Sequence, residues 1–333
     1  MSRITQFGNR LYTGETSFNF IGKRLTWYLL SSAVILVAVV MTLLRGGFTF
    51  GIEFRGGSEF QVSNPSVVDV SIAEKTVTAE AGDVAAPKTT IVGGSSVRVQ
   101  TEQLTTEATD SLRVALAEAY GVPVERVTSS FIGATWGADI TGQALRALVV
   151  FLVLVSIVMA LYFRTWKMSV AAIVAVIHDL IITIAIYGAF GLEVTPAAVI
   201  GLLTILGYSL YDTVVVFDKI RENTEISYDE SKRTFAESVN LAVNQTLVRS
   251  INTSVVAALP VASILFIGSL LLGAGTLRDI ALALFVGILC GAYSTIFIAA
   301  PMYAQLREGE SELTKQGRKA RPELTRNASG AVR

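Results

Sequence analysis

An aspartate inside an apolar run is the first place where this sequence could do chemistry. Asp212 lies within the run from Thr204 to Phe217. An ionisable side chain at the centre of a membrane helix costs about 2.5–3.5 kcal/mol on insertion scales, and it usually faces the bundle interior or water. The side chain of aspartate is too short to reach the membrane surface as lysine and arginine do. We therefore interpret Asp212 as a group that must be held inside the protein.

A cation and two polar residues follow at the start of the next apolar run. Arg249, Asn252 and Thr253 fall at positions i, i+3 and i+4, so one face of a helix carries all three. A loop joins the two runs on that side, which predicts an Asp212–Arg249 pair at similar depth. Burial disfavours a charged carboxylate and a nearby guanidinium favours it. Movement of the arginine would then load and release a proton, as in a proton relay.

Structural alternatives exist for each of these residues. Arg249 could simply extend to the membrane surface, and Asp212 could serve packing alone, although we favour the relay for it. His178 and Asp179 lie in another apolar run, and a hydrogen-bonded core histidine is the better interpretation there than a catalytic one. Cys290 is the single cysteine and His178 the single histidine, which excludes an internal disulfide, a cysteine cluster and a histidine-rich metal site.

Six apolar runs have to position these residues. Charged residues make up 16% of the 333-residue chain, against about a quarter in ordinary soluble domains. About 20 mostly apolar residues are needed to cross about 30 Å of hydrocarbon. Six segments qualify and predict a polytopic α-helical membrane protein: Leu25–Leu44, Leu145–Phe163, Met168–Phe190, Pro196–Phe217, Ile251–Leu272 and Ile280–Tyr303.

The distribution of lysine and arginine predicts the orientation. These residues precede the first run and follow the second, fourth and sixth, whereas the opposite short loops carry almost none apart from Arg278. The positive-inside rule then places both termini in the cytoplasm. The expected parts are a cytoplasmic lead (1–24), an uncleaved first span (25–44), an outer domain (45–139), a bundle of five further spans (140–306) with a cytoplasmic loop (218–248), and a disordered basic tail (307–333).

The outer segment is the one region with the pattern of a soluble domain. "GIEFRGGSEFQVS" predicts an extended segment, and "TTIVGGSSVRVQT" a strand or hairpin. Apolar spacing predicts a helix that ends at Gly82 and another that ends at Gly121. "VPVERVTSSFIG" predicts a last strand. The order β-α-β-α-β is typical of an α+β sandwich of the ferredoxin-like kind.

The cytoplasmic loop carries a further helical pattern. "DESKRTFAESVNLAVNQTLV" has apolar residues three and four apart, which predicts an amphipathic helix. Two placements are open, one on the membrane surface and one continuous with the fifth span.

Several blocks together resemble the SecF side of the bacterial SecD/SecF family, which is related to the RND transporter superfamily. They are "FNFIGKR", "GIEFRGG", "HD" in the third span, "GLLTILGYSLYDTVVVFDKIREN" and "ESVNLAVNQTLVRSINTS", and the resemblance covers about residues 17–306. In the glycine motif, formed by Gly51, Glu53, Gly56 and Gly57, glutamate replaces the family's usual aspartate. The stretch "FIGATWGADIT" lacks the usual Gly-Pro element.

The resemblance implies a function that composition cannot give. Such proteins form an obligate complex with SecD in the bacterial cytoplasmic membrane and use the proton motive force in late export of unfolded polypeptides through SecYEG, where SecA drives the ATP-dependent phase. YajC- and YidC-type subunits are further expected partners. Asp212, Arg249 and Thr253 match the family's proton-transport residues, and His178, Asp179 and Asn252 are candidates for support. No enzyme activity, cofactor, metal or nucleic acid is implied.

Three rival functions each fit part of the sequence. Half of an RND-type small-molecule exporter would share the helix arrangement, but such pumps repeat the module in one long chain with two large outer domains. An intramembrane aspartyl protease needs two carboxylates that share a proton, and Asp179, the only spare, lacks the required Gly-x-Gly-Asp context. A passive assembly factor would tolerate replacement of Asp212.

Overall fold

The computed structural model describes residues 3–82, 87–92, 95–163, 165–226, 233–268, 275–308 and 310. Within them, six helices are long and apolar enough to cross a membrane, which confirms the predicted number. They are Arg24–Leu44, Thr135–Phe163, Trp166–Phe190, Pro196–Thr224, Phe235–Ile267 and Leu277–Arg307.

The described elements are numbered in chain order. The helices are α1 (Arg3–Thr13), α2 (Arg24–Leu44), α3 (Ile52–Arg55), α4 (Val70–Ala81), α5 (Thr106–Ala119), α6 (Ala134–Phe163), α7 (Trp166–Phe190), α8 (Pro196–Ile226), α9 (Phe235–Ser263), α10 (Gly275–Ser294) and α11 (Ala300–Arg307). The strands are β1 (Thr49–Phe50), β2 (Gly57–Ser63), β3 (Lys88–Val92), β4 (Ser96–Thr101), β5 (Val127–Ile132) and β6 (Glu193–Val194). Two π-helical segments, Ile264–Gly268 and Thr295–Ala299, extend α9 and join α10 to α11.

The outer domain has the predicted ferredoxin-like fold. Its order is β-α-β-β-α-β, and its four strands lie in the order β3-β4-β2-β5 with every neighbouring pair antiparallel. The stretch predicted as a strand or hairpin forms two paired strands, β3 and β4. Alternate residues of β2 and β4 enter the core, where they pack on the two helices: Phe60, Val62, Val97 and Val99 against Val77, Leu112 and Leu116.

Local signals place the two helices of this domain. The carboxylate of Asp69 accepts the backbone N–H of Ser71 at the start of α4, and these hydrogen bonds lower the pKa of Asp69. The hydroxyl of Thr105 caps α5 in the same way. The helix α4 ends at Gly82, as predicted. The hydroxyl of Tyr120 then donates to the carbonyl of Asp69 at 2.6 Å, which ties the end of one helix to the start of the other.

The helix α8 lies at the centre of the bundle, against α7, α9 and α10. Glycines bring α8 and α10 close together: a Cβ added at Gly201 would lie 2.9 Å from the Cβ of Ala283, and one at Gly291 would lie 2.9 Å from Ser209. Small residues at such crossings let helix backbones approach in a membrane, where packing drives association. Much of the surface of α6 is exposed, as expected for a helix that faces lipid.

The described part of the lead before the first span contains α1 and packs on α9. The backbone N–H of Phe18 donates to Asn244 at 2.8 Å, and that of Phe20 donates to Asn240 at 2.9 Å. Two of the blocks that carry the family resemblance therefore contact each other.

Three sequence-based helix boundaries differ from the structure. The second span begins at Ala134 rather than Leu145. The predicted loop 218–248 is largely helical, because α8 runs on to Ile226 and α9 starts at Phe235 with a capping box on Thr234. The predicted amphipathic helix is thus continuous with the fifth span, and its residues 229–232 lie outside the described residues. The predicted tail lies outside them as well, apart from residues 307, 308 and 310.

The predicted extended segment at the glycine motif is also wrong in part, because Ile52–Arg55 forms a helical turn and the strand starts only at Gly57. Gly57 has φ +136°, and an added Cβ would collide with the carbonyl oxygen of Thr101. Gly56 also has positive φ, at +78°. Both positions favour glycine on backbone grounds.

Candidate functional site: a buried polar layer in the helix bundle

Asp212 lies on α8 at the interface with α9. Asp212 is buried, with 5% of its surface exposed. Its Oδ1 accepts a hydrogen bond from the Ser250 hydroxyl at 3.0 Å. Its Oδ2 is buried and has no hydrogen-bond partner in the part of the chain that the structure describes. One half of this carboxylate is therefore available to a proton or to another donor.

Arg249 does not form the predicted ion pair with Asp212 among the described residues. Its side chain is exposed, whereas the next residue, Ser250, is buried against α8. Successive residues differ by about 100° around a helix of 3.6 residues per turn, so the two side chains of Arg249 and Ser250 cannot both face Asp212 in one orientation of α9. In this structure the hydroxyl takes the place that the sequence assigns to the guanidinium.

The rest of the predicted α9 face lies at the edge of the interface. Asn252 is exposed and Thr253 is half-buried. The Thr253 hydroxyl donates to the carbonyl of Arg249 at 2.8 Å, and the Tyr208 hydroxyl of α8 donates to the carbonyl of Thr253 at 3.0 Å. These contacts put Thr253 next to the α8–α9 interface but give its side chain no contact with Asp212.

Asp179 forms the second acidic centre of the bundle. It is 1% exposed, and its Oδ2 accepts a hydrogen bond from the Ser209 hydroxyl at 2.5 Å. Its Oδ1 lies 3.4 Å from Nδ1 of His178, whose Nε2 contacts the hydroxyl of Ser31 on α2. The two candidates for support, His178 and Asp179, are thereby joined to α2 and α8.

The helix α8 connects these groups because its polar residues recur at helical spacing. Ser209 reaches Asp179 on α7, Asp212 reaches Ser250 on α9, and Thr213 reaches the Thr295 hydroxyl at 2.9 Å. A layer of hydroxyls and carboxylates therefore crosses the bundle. We refer to Ser31, His178, Asp179, Ser209, Asp212, Thr213, Ser250 and Thr295 as the polar layer.

The polar layer contains carboxyl groups that could exchange protons. A buried carboxylate without a cation is costly, and protonation removes its charge. Asp179 and Asp212 bond to different serines, and no hydrogen bond joins them within the described ranges, so they do not form the shared-proton dyad of an aspartyl protease. No group of three or more His, Cys, Asp or Glu side chains suited to a metal ion occurs among the described residues.

Sequence reasoning missed the hydroxyl partners. Ser209, Ser250, Ser31 and Thr295 carry no charge, so they do not stand out in an apolar run. The available signal is position: Ser209 precedes Asp212 by one helical turn, and Ser250 follows the arginine that the sequence singles out.

The glycine motif lies away from this layer, at the base of the outer domain. A Cβ added at Gly51 would collide with Oε2 of Glu53, so glycine makes room for the glutamate. Burial raises the pKa of Glu53, with smaller contributions from neighbouring glutamates. A Cβ at Gly137 of α6 would lie 2.6 Å from the carbonyl oxygen of Phe54, which shows how closely "FIGATWGADIT" packs on the motif.

Comparisons with known proteins agree on one family. The family described as "Protein export membrane protein SecD/SecF, C-terminal" matches residues 113–309. The protein translocase subunit SecF of Streptomyces coelicolor is 43% identical over all of this chain and 87% of that protein. SecF of Mycobacterium tuberculosis is 42% identical over 98% of this chain and 74% of that protein. These relatives are translocase subunits and do not favour the small-molecule exporter.

A solved structure extends the likeness to three dimensions. The crystal structure of SecDF from Thermus thermophilus, a translocon-associated membrane protein, aligns with a TM-score of 0.75 at 30% identity. The alignment covers 92% of this chain and 40% of the SecDF chain. A SecDF crystal structure in a super-membrane-facing form aligns with a TM-score of 0.60 at 29% identity.

Proposed function

The chain belongs to the SecD/SecF family of protein-export membrane proteins as a SecF-type translocase subunit, and on that premise we propose that it couples proton flow to late, ATP-independent steps of polypeptide export. It is a multi-pass membrane protein with six candidate spans among its described residues. We propose that these lie in the bacterial cytoplasmic membrane, with both termini in the cytoplasm and residues 45–139 outside. The proposed role is mechanical rather than enzymatic.

The observation that carries the proposal is the half-bonded carboxylate of Asp212. A purely structural aspartate at this depth would be expected to have both oxygens satisfied, because an unpaired buried polar atom costs about 1–3 kcal/mol. Asp212 instead has one serine donor and one oxygen that no described residue hydrogen-bonds. This arrangement suits a group that is neutral in one state of a cycle and charged in another.

Arg249 supplies the charged state in the proposed mechanism. When Asp212 loses its proton, a rotation of α9 would turn Ser250 away from Asp212 and bring the side chain of Arg249 against it. The guanidinium would then balance the charge of the carboxylate. Protonation would return the serine-bonded arrangement. Thr253, whose hydroxyl bonds to the carbonyl of Arg249, and Asn252 lie on the part of α9 that this rotation would move.

The energy available matches a change in helix packing. One proton that crosses a potential of 100 mV supplies about 2.3 kcal/mol. That amount biases a two-state movement without unfolding a stable domain.

We propose SecD as the obligate partner. The SecDF relative contains the equivalent of this chain in 40% of its length, which leaves room there for a second half. This chain also exposes Tyr211, Arg249 and Asn252 on neighbouring turns of α8 and α9, with Tyr211 56% exposed. Polar side chains that face lipid are costly, so we place SecD against this surface. SecYEG, SecA, YajC- and YidC-type subunits and the unfolded exported chain complete the proposed set of partners, with protons as the transported ion and no cofactor or nucleic acid.

The experiment that tests the function replaces Asp212 by asparagine in cells that have no other copy. Asparagine keeps the shape and a hydrogen-bonding oxygen but cannot titrate. We expect Asp212→Asn to lose export stimulation while its membrane level and its co-purification with SecD stay at the wild-type value. Asp218→Asn is the matched control, because it makes the same change at an exposed position on the same helix. Wild-type, uncoupler-sensitive export in Asp212→Asn would refute the relay.

Orientation has a separate test. In a Cys290→Ala background, Ser95→Cys places one thiol at an exposed position of the outer domain. A membrane-impermeant thiol reagent is expected to label it in intact cells and to leave a Ser227→Cys variant unlabelled. The reverse pattern would invert the proposed topology.

A further inference from the structure

The outer domain turns the open face of its sheet toward the membrane bundle. On β2 and β4, alternate residues enter the domain core, so Glu59, Arg98 and Gln100 project from the opposite face. Arg98 and Gln100 contact Glu193, which lies on β6 in the connection between α7 and α8. A polar contact therefore joins the outer domain to the bundle beside the β1–β6 pair, in which Thr49 lies opposite Glu193.

Two side chains of β4 bridge the same pair of carboxylates. Arg98 lies 3.7 Å from Glu59 and 3.9 Å from Glu193. The amide nitrogen of Gln100 donates to Glu59 at 3.1 Å and to Glu193 at 2.8 Å. The arginine contacts are longer than the about 2.7–2.9 Å of close charge-assisted hydrogen bonds, so Arg98 is loosely held whereas Gln100 forms ordinary hydrogen bonds. We call these four residues the junction bridge.

Other charged groups surround the junction bridge from each neighbouring element. Glu53 follows β1, and Lys88 lies on β3. Burial lowers the pKa of Lys88, and the nearby carboxylate of Glu193 opposes this effect. Asp279, beside Arg278 on α10, accepts a hydrogen bond from the Thr195 hydroxyl at 3.0 Å. A cavity of about 240 Å³ opens between these groups and Arg98. Four carboxylates around Arg98 make an interface that is polar and acidic, unlike an apolar core that would fix the two bodies permanently.

The position of Glu193 connects this interface to the polar layer. Glu193 and Val194 form β6, and α8 starts two residues later at Pro196. The helix α8 carries Ser209, Asp212 and Thr213. Any displacement of α8 along or about its axis would therefore act on Glu193 through a rigid element.

We propose that the junction bridge is a reversible latch that holds the outer domain on the bundle and releases it when α8 moves. Arg98 is the positioning residue of this latch. When Glu193 moves away, Arg98 keeps Glu59 within its own domain, so release leaves no unpaired cation behind. The cycle that drives the release rests on the proposed function, whereas the latch itself is a property of this interface.

A distance measurement tests the latch directly. Spin labels at Glu125→Cys, on the outer domain, and Leu44→Cys, at the end of α2, report the separation of the two bodies in a Cys290→Ala background; both positions are exposed. We expect Arg98→Gln to lengthen the mean distance and broaden its distribution in the full chain with SecD, and to lower export stimulation. Arg126→Gln, an exposed arginine of the same domain, is the matched control and leaves both readouts unchanged.

A charge exchange separates the latch from simple loss of folding. Glu193→Arg with Arg98→Glu keeps opposite charges across the interface and is expected to restore the narrow distance distribution. If Arg98→Gln does not accumulate, Glu193→Gln breaks the bundle side alone and leaves the Arg98–Glu59 pair of the domain intact. An unchanged distance distribution in Glu193→Gln and in Arg98→Gln would overturn the latch, as would failure of the exchanged pair to restore it in a protein of normal abundance.

The same measurements distinguish failure of the latch from failure of the proposed function. An altered distance in Arg98→Gln, together with normal export in Asp212→Asn, would keep the latch and reject the relay. An unaltered distance together with lost export in Asp212→Asn would reject the latch and keep the relay.

Discussion

Asp212 and Asp179 lie inside the helix bundle, whereas Glu59 and Glu193 lie where the outer domain meets it. The bundle carboxylates accept hydrogen bonds from the serines of neighbouring helices. The junction carboxylates share Arg98 and Gln100. A hydroxyl leaves the negative charge uncompensated, so a proton or an approaching cation must cancel it, whereas a guanidinium cancels it directly. For this reason we assign proton exchange to the bundle and a mechanical contact to the junction.

The largest expected effect concerns Arg249, the cation that does not pair with Asp212 among the described residues. If Arg249 serves only the charged state of the cycle, Arg249→Met should abolish export stimulation but leave the thermal stability of the purified chain unchanged. The side chain is exposed and forms no ion pair in the described part of the chain. Export in cells and thermal unfolding in detergent measure the two quantities.

Arg146→Met is the control for this change, since Arg146 is an exposed arginine on α6 whose guanidinium, within the described part of the chain, bonds only to Gly142 of its own helix. Arg146→Met should leave both export stimulation and thermal stability unchanged. A drop in the melting temperature of Arg249→Met as large as that of a core mutant would show that the arginine supports the resting fold, and the contrast between the two acidic regions would fail.

The next effect tests the hydroxyl in the bundle. Ser250→Ala removes the donor to Asp212 and should cost about 1–3 kcal/mol, the range for a buried polar group left without its partner. Ser156→Ala provides the control, because the Ser156 hydroxyl bonds to the carbonyl of Leu152 within α6 and to no other described residue. Denaturant or thermal unfolding of the two variants should separate them clearly. Equal stability would mean that water or another donor replaces Ser250.

A double-mutant cycle sharpens the same point. If Ser250 acts through Asp212, the losses of Ser250→Ala and Asp212→Asn should not add, because residues in one hydrogen-bonded pair are coupled. Strict additivity would place the effect of Ser250 elsewhere on α9.

Elements with strong local signals were predictable from the sequence. The helices α4 and α5 have regular apolar spacing and recognisable caps, and the six spans follow from length and hydropathy. The helical turn Ile52–Arg55 was missed because its neighbours Gly56 and Gly57 adopt positive φ for tertiary reasons, among them the carbonyl of Thr101. The extension of α8 beyond Phe217 was not predicted, because the charged residues that follow Phe217 lower the hydropathy on which the end of the span was based. A helix before the fifth span was predicted, but the sequence left open whether it continues into that span, as α9 does.

The residues of the site also differ in how clearly the sequence indicates them. Asp212 and Asp179 stand out because a charge in an apolar run is costly. The choice between Arg249 and Ser250 as the partner of Asp212 depends on the rotation of α9, which adjacent positions on one helix cannot reveal. The sequence does not predict the junction bridge. Glu59, Arg98 and Glu193 are far apart in sequence, and each looks like an ordinary surface charge.

The smallest expected effect tests whether the junction responds to pH. Burial raises the pKa of Glu53 above its ordinary value of 4.5. The folded state therefore binds this proton more tightly than the unfolded chain, so the charged form of Glu53 costs stability, and that cost disappears as the pH falls through the raised pKa. Glu53→Gln should slightly raise the melting temperature at neutral pH and flatten the pH dependence of stability just above pH 4.5. Glu125→Gln, at an exposed position of the same domain, should leave the profile unchanged. A parallel profile for Glu53→Gln and the wild type would mean that this glutamate is solvated in the working protein, and the junction would then hold its contacts through Arg98 and Gln100 without a response to pH at Glu53.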